Sequence, residues 1–125
     1  MENLLQELYK TDIHLEKIHF RKISLENLSY QINGISQSGK SNLVKHYLLG
    51  LKKNSYLYID CNDTRLEVDK LNETLTRFCN ANKIDTLVLN HYKANIKIPN
   101  VTQLIICSET HFDIDYLTTI ELYPL

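Results

Sequence analysis

The fold of this chain is decided by one short stretch, Gly34-Ile35-Ser36-Gln37-Ser38-Gly39-Lys40-Ser41. It fits the pattern G-x-x-x-x-G-K-[ST], in which a glycine-rich turn joins a strand to a helix and surrounds a phosphate group. The chain has only 3 glycines, and the pattern uses Gly34 and Gly39 at the required spacing. The stretch therefore predicts a phosphate-binding loop.

The residues on both sides of the loop agree with this prediction. Residues 28–33 read Leu-Ser-Tyr-Gln-Ile-Asn, and their aromatic and β-branched side chains predict a short strand. After the loop, apolar residues recur at helical spacing and Gly50 lies near a plausible helix end; the apolar residues are Leu43, Val44, Tyr47, Leu48 and Leu51. Strand, glycine loop and helix thus follow in the order that phosphate binding requires.

The chemistry of such a loop depends on its backbone. Glycines allow a tight turn, so that successive amide N–H groups converge on a phosphate at a helix N-terminus. Lys40 would then lie between the β- and γ-phosphates, and the Ser41 hydroxyl would coordinate Mg²⁺. We predict ATP or ADP with Mg²⁺ as cofactors, bound by Gly34, Ser36, Gln37, Ser38, Gly39, Lys40, Ser41 and Asn42. The alternative is an ordinary glycine turn before a helix that contains Lys-Ser by chance.

Composition excludes several classes of function. The chain has 125 residues, a hydrophobic content of 43%, a charged content of 23% and a net charge of −1, all typical of one globular domain. We predict a single domain, with residues 1–28 as a helical flap and residues 29–125 as the core. The scattered charges indicate neither a nucleic-acid nor a membrane partner. No signal region or bilayer-length apolar run is present, and widely spaced cysteines without a CxxC pair indicate the reducing cytoplasm.

The remaining pattern predicts alternating helices and strands. Helices are expected at 1–10 and 65–81, and strands at 56–60, 86–89, 103–107 and, more weakly, 119–122. The connections 90–102 and 108–118 are short for crossovers, and Pro99 interrupts the first, so neither is expected to hold a full helix. The expected fold is an α/β three-layer P-loop sandwich with a mostly parallel five-stranded sheet.

These motifs resemble the ATPase domain of the AAA+ superfamily, in particular the prokaryotic group loosely called archaeal-type ATPases. The likeness runs from about Phe20 to the last residue. It includes the Walker A loop, a YLYIDCND second strand, an LVLN strand at the Walker B position, an IICSE strand at the sensor-1 position and a terminal IELYPL. The resemblance implies a sheet ordered 5-1-4-3-2, ATP at the carboxyl edge of the strands and a helical lid after the fifth strand.

The chain departs from that family at the Walker B position. The third strand should end in Asp-Glu, but Asn90 and His91 follow it here. Asn90 can bond a magnesium-bound water but lacks the charge that favours the metal. His91 is a poor substitute for a glutamate that orients the attacking water, although it can act as a base near neutral pH. We therefore expect weak hydrolysis or none.

Two further departures concern missing parts. No arginine follows the fourth strand, where a trans-acting finger would stand, and the chain ends before the lid. Without a lid, adenine would be open on one side. The protein is accordingly expected to be either a fragment of a longer ATPase or a degenerate relative, and to be a monomer or a weak dimer.

The candidate catalytic residues are Glu109, Ser108 and Asn90. Glu109 follows the strand expected beside the first one, near the γ-phosphate; the alternative is a solvated turn residue. Ser108 resembles the sensor-1 polar residue, and the alternative is a serine that merely starts a loop. Asp63 and Arg65 are expected to cap and charge-pair at the next helix.

Two other functions remain open at this point. The chain could be a small P-loop kinase of a metabolite, with Asp60 contacting the acceptor. It could instead be a regulatory or structural subunit that keeps the fold and docks a protein partner through its N-terminal segment or its open face.

Overall fold

The computed structural model describes residues 1–15, 23–35 and 39–123. Over these ranges the helices are α1 (Glu2–Lys10), α2 (Lys40–Leu49) and α3 (Val68–Ala81), and the strands are β1 (Tyr30–Asn33), β2 (Tyr56–Asp60), β3 (Thr86–Asn90), β4 (Gln103–Ser108) and β5 (Thr118–Glu121). All the strand pairs are parallel and the sheet order is β2-β3-β4-β1-β5. The predicted α/β sandwich and its strand order are confirmed.

Some predictions fall outside the described ranges. Residues 16–22 belong to the predicted flap segment, and residues 36–38 hold the predicted nucleotide contacts of Ser36, Gln37 and Ser38. The terminal turn expected at 124–125 is likewise outside them.

The start of α3 differs from the prediction. The helix begins at Val68 instead of 65, because the turn before it is held by Asp63, whose Oδ1 atom accepts a hydrogen bond from the Arg65 backbone N–H at 3.0 Å. Arg65 and Asp63 form the predicted ion pair, 2.7 Å between Nη2 and Oδ2. The predicted capping role was wrong, since the residue before the helix is Glu67, which makes no side-chain capping bond.

The sheet separates two apolar cores. On one face, α1 and α3 pack against alternate residues of β2, β3 and β4, and this core contains Leu5, Leu71, Leu75, Phe78, Leu57, Ile59, Leu87, Leu89, Leu104 and Ile106. On the other face, α2 covers the remaining residues, and this core contains Val44, Leu48, Tyr30, Ile32, Val88, Ile105 and Cys107. Successive side chains of a strand point to opposite faces of the sheet, so a strand with apolar residues throughout contributes side chains to both cores.

Helix α1 belongs to the first core. Leu5 is fully buried, and the ring of Tyr9 packs edge-on against Phe78 with 5.8 Å between the ring centroids. The helix contacts α3 and the edge strand β2, so it covers that edge as expected.

The β3–β4 and β4–β5 connections contain no helix, and they contribute individual side chains to the core instead. Tyr92, Ile96 and Leu117 are buried in the first core, in the segments that lead into β4 and β5. The absence of a helix in 91–102 and 109–117 confirms the prediction for these connections.

The cysteines are buried and unpaired, as expected. Burial raises the pKa of Cys79 to about 11. It also raises the pKa of Cys61 and of Cys107 to about 12.

Candidate functional site

The candidate site lies at the carboxyl edge of the sheet, where β1 ends beside β4. Asn33 is paired in register with Ser108, and the Gly34 backbone N–H donates to the Ser108 carbonyl oxygen at 3.3 Å. The chain leaves β1 toward the face of α2, whereas the chain after β4 crosses the opposite face before it enters β5. When the chain leaves two neighbouring parallel strands toward opposite faces of the sheet, a crevice opens at their carboxyl ends. This crevice is the usual ligand position in open α/β sheets.

The turn into α2 requires the glycine that the motif supplies. Gly39 precedes the helix with φ 89° and ψ 15°, a left-handed conformation that favours glycine. Its carbonyl oxygen accepts the first helical bond from the Leu43 N–H at 3.0 Å. The N-terminus of α2 therefore begins directly at the end of the predicted loop.

Lys40 folds back over the start of this loop. Its side chain is buried, with a relative exposure of 8% for the residue, and its Nζ atom donates to the carbonyl oxygens of Gly34 at 2.5 Å and Ile35 at 2.9 Å. The ammonium group thus lies against the residues where the loop begins, although it is carried by the helix where the loop ends. This contact joins the described start of the predicted loop to the helix that follows it.

A hydrogen-bonded chain links Ser41 to the end of β3 through Tyr58. The hydroxyl of Tyr58 lies 3.1 Å from the Oγ atom of Ser41, and either hydroxyl can donate. The Nδ2 atom of Asn90 donates to the same Tyr58 oxygen at 2.9 Å. The two predicted metal-binding residues are therefore brought together, with a tyrosine hydroxyl between them.

The surroundings of Tyr58 keep it uncharged. Desolvation by burial raises the pKa of Tyr58 to about 12. The hydrogen bond with Ser41 has the opposite, smaller effect and lowers this pKa. The Nζ atom of Lys45, on α2, lies 5.3 Å from the centre of its ring, within range of a cation–π interaction. The group between Ser41 and Asn90 is consequently a neutral phenol.

His91 and Asp60 form a second contact at this edge. The Nδ1 atom of His91 lies 2.9 Å from Oδ1 of Asp60, which also accepts the Asn62 backbone N–H at 2.9 Å. His91 has φ 55°, in the left-handed region. Its backbone N–H donates to Oδ1 of Asn90 at 3.1 Å, so both polar atoms of the Asn90 amide are bonded within the protein.

The candidate residues Ser108 and Glu109 lie at the end of β4, which separates β1 from β3 in the sheet. Ser108 is buried, and its Oγ atom accepts the Thr110 backbone N–H at 2.9 Å. Asn33 ties this bend to β1, with its Nδ2 atom donating to the Thr110 carbonyl oxygen at 3.1 Å. Glu109 is exposed at the bend, next to the register partner of Asn33. The hydroxyl of Ser108 thus has a local structural role, and the roles predicted for Ser108 and Glu109 with phosphate remain predictions.

Sequence reasoning missed Tyr58 as a site residue. Its strand was predicted correctly, and the alternation of side chains along it put Tyr58 and Asp60 on one face. Nothing in the sequence indicated that this face would be the one covered by α2. Asn42, predicted to contact nucleotide, lies partly buried in the first turn of α2.

Comparisons with known proteins add no relative: no protein-family model, curated protein or solved structure matches the chain. Within the described residues, no cluster of three or more His, Cys, Asp or Glu side chains is arranged to hold a metal ion. In the same part of the chain, no helix combines the length and the apolar character needed to cross a membrane.

Proposed function

We propose that this chain binds ATP or ADP at the loop between β1 and α2, as an AAA+-like P-loop domain of the cytoplasm that hydrolyses the nucleotide slowly or not at all. One observation carries the proposal. The buried ammonium group of Lys40 lies against the carbonyl oxygens of Gly34 and Ile35, at the start of a helix that a left-handed glycine introduces.

The electrostatics of this arrangement favour an anion. An ammonium group that is removed from water needs acceptors, and the two loop carbonyls supply them. They carry no full negative charge, so the positive charge of Lys40 is not cancelled by them. The N-terminus of α2 adds its own partial positive charge at the same place, where N–H groups of a first helical turn point out of the helix. A phosphate group complements both.

Slow hydrolysis follows from the neutral end of β3. Phosphoryl transfer depends on charge compensation and on a positioned nucleophile. Asn90 contributes an amide whose two polar atoms bond Tyr58 and His91, and the Nδ1 atom of His91 bonds Asp60. Binding uses Lys40 and backbone amides, so it does not depend on these groups.

The proposal is tested by titrating a fluorescent ATP analogue into the wild type, Lys40→Ala and Lys97→Ala. Lys97 is an exposed lysine in the β3–β4 connection and controls for the loss of one positive charge. We expect Lys40→Ala to weaken binding by about tenfold or more, which corresponds to roughly 1.4 kcal/mol. Lys97→Ala should bind as the wild type does. Equal affinities of Lys40→Ala and the wild type would dismiss the loop as a nucleotide site.

The kinase and subunit alternatives receive less support. A kinase would use Asp60 to contact an acceptor, but Oδ1 of Asp60 already bonds His91 and the Asn62 N–H. A role as a docking subunit stays a prediction, as does the monomeric or weakly dimeric state.

A further inference from the structure

Resting on the proposed function, we infer that the nucleotide site works without a divalent cation, because the hydroxyl of Tyr58 takes the place between Ser41 and Asn90 that the loop motif assigns to Mg²⁺. The motif predicts a metal held by the Ser41 hydroxyl and, through water, by Asn90. The donor groups found at this place do not fit such an ion.

The donor groups are the first reason. Mg²⁺ requires six oxygen ligands in a nearly ideal octahedron. Ser41 Oγ and the Tyr58 oxygen are hydrogen-bonded to each other at 3.1 Å, and the Asn90 group that faces this oxygen is the Nδ2 donor, at 2.9 Å. The oxygen of that amide, Oδ1, accepts the His91 backbone N–H at 3.1 Å. An N–H donor repels a cation, so the amide is turned the wrong way for a metal or for its water.

The charge of the surroundings is the second reason. Mg²⁺ in phosphate sites is held by one or two carboxylates in addition to the phosphates. Here the groups that meet at this place are the hydroxyls of Ser41 and Tyr58 and the amide of Asn90, and none of the three is a carboxylate. The ammonium groups of Lys45, over the Tyr58 ring, and of Lys40, at the loop, add two positive charges nearby. A further divalent cation is disfavoured by both.

The carboxylates at this edge of the sheet do not supply the negative charge that Mg²⁺ would need. Asp60 acts on Tyr58 electrostatically, but its Oδ1 atom is occupied by His91 and by the Asn62 N–H. Glu109 follows β4, which lies between β1 and β3 in the sheet. However, the segment after it packs Phe112 and Ile114 on the face of α3, whereas Tyr58 lies on the face of α2. No metal-binding group of three such side chains exists among the described residues. The negative charge of the phosphates is therefore met by Lys40 and by backbone N–H groups.

The test is a calorimetric titration of ATP into the full chain in two buffers, one with EDTA and one with excess Mg²⁺. We expect the two dissociation constants to agree within about twofold, far below the tenfold that 1.4 kcal/mol of metal binding would add. An affinity at least about tenfold higher with Mg²⁺ would overturn the inference. Because that result still shows ATP binding, it leaves the proposed function standing. Absence of binding in both buffers removes the proposed function, and this inference with it.

A double variant tests whether Tyr58 and Asn90 are the cause. Tyr58→Phe with Asn90→Asp removes the hydroxyl and supplies a carboxylate beside Ser41. Mg²⁺ should raise the ATP affinity of this double variant by about tenfold. The control is Tyr116→Phe with Asn100→Asp, at exposed positions, and Mg²⁺ should leave its ATP affinity unchanged. A folded double variant that stays indifferent to Mg²⁺ would refute the assignment to these two residues. The wild-type titration decides the metal requirement even if the double variant does not fold.

Discussion

The Nδ1 atom of His91 lies 2.9 Å from the Oδ1 atom of Asp60, so the residue after β3 is tied to the last residue of β2. His91 makes this contact from a backbone conformation with φ 55°. A non-glycine residue in this region costs about 1–2 kcal/mol relative to the right-handed helical conformation. The contact and the turn therefore form one local unit at the carboxyl edge.

A first prediction concerns this turn. His91→Val should lower the free energy of unfolding by about 1–2 kcal/mol, because a β-branched residue tolerates positive φ poorly. His91→Asn should stay within about 0.5 kcal/mol of the wild type, since asparagine adopts this conformation more readily and the lost contact is half exposed. Urea unfolding of both variants measures the difference. Equal stabilities would contradict the backbone explanation.

A second prediction concerns Tyr58 as a structural link. Tyr58→Phe should lower the free energy of unfolding by about 1–3 kcal/mol, because the buried amide of Asn90 loses the acceptor of its Nδ2 group. Tyr116→Phe, at a position that is 62% exposed, is the matched control and should have no measurable effect. Thermal or urea unfolding serves as the readout. If the two variants unfold alike, water replaces the hydroxyl and the link has no energetic weight.

A third prediction follows from the raised pKa of Cys107. Burial raises this pKa from 9.0 to about 12, so the folded state holds the thiol proton more tightly than the unfolded state. The stability that this thiol contributes is complete below pH 9.0 and is lost progressively as the pH rises toward about 12. The free energy of unfolding of the Cys107→Ala variant should therefore fall less steeply with pH over this range than that of the wild type. Urea midpoints at several alkaline pH values give the two slopes, and parallel slopes would contradict the prediction.

A fourth prediction concerns the N-terminal helix. Leu5→Ala should destabilise the protein by about 2–5 kcal/mol, because Leu5 is fully buried between α3 and β2 and its removal leaves a cavity. Leu49→Ala is the control, since Leu49 is a helical leucine that is 52% exposed. It should cost less than about 0.5 kcal/mol. A tolerated Leu5→Ala would mean that α1 is a detachable flap and no part of the core.

The sequence predicted the elements well because their signals are local. β2 was bounded correctly because a compact apolar run ends at Asp60 in a polar segment. The start of α3 was misplaced because helical periodicity does not distinguish a helix from the turn that Asp63 forms with Arg65. Buried cysteines and the helix-free connections were likewise predictable from spacing and from Pro99.

The sequence by itself determined the loop motif, the order of helices and strands and, through the resemblance, the order of the sheet. Only the tertiary structure decided what lies between Ser41 and Asn90. Tyr58 reaches both because β2 pairs with β3 in the register that sets Asp60 beside Asn90, on the face that α2 covers. A slip of one residue would turn Tyr58 to the opposite face. Such a register depends on contacts between residues distant in the chain, which no local pattern encodes.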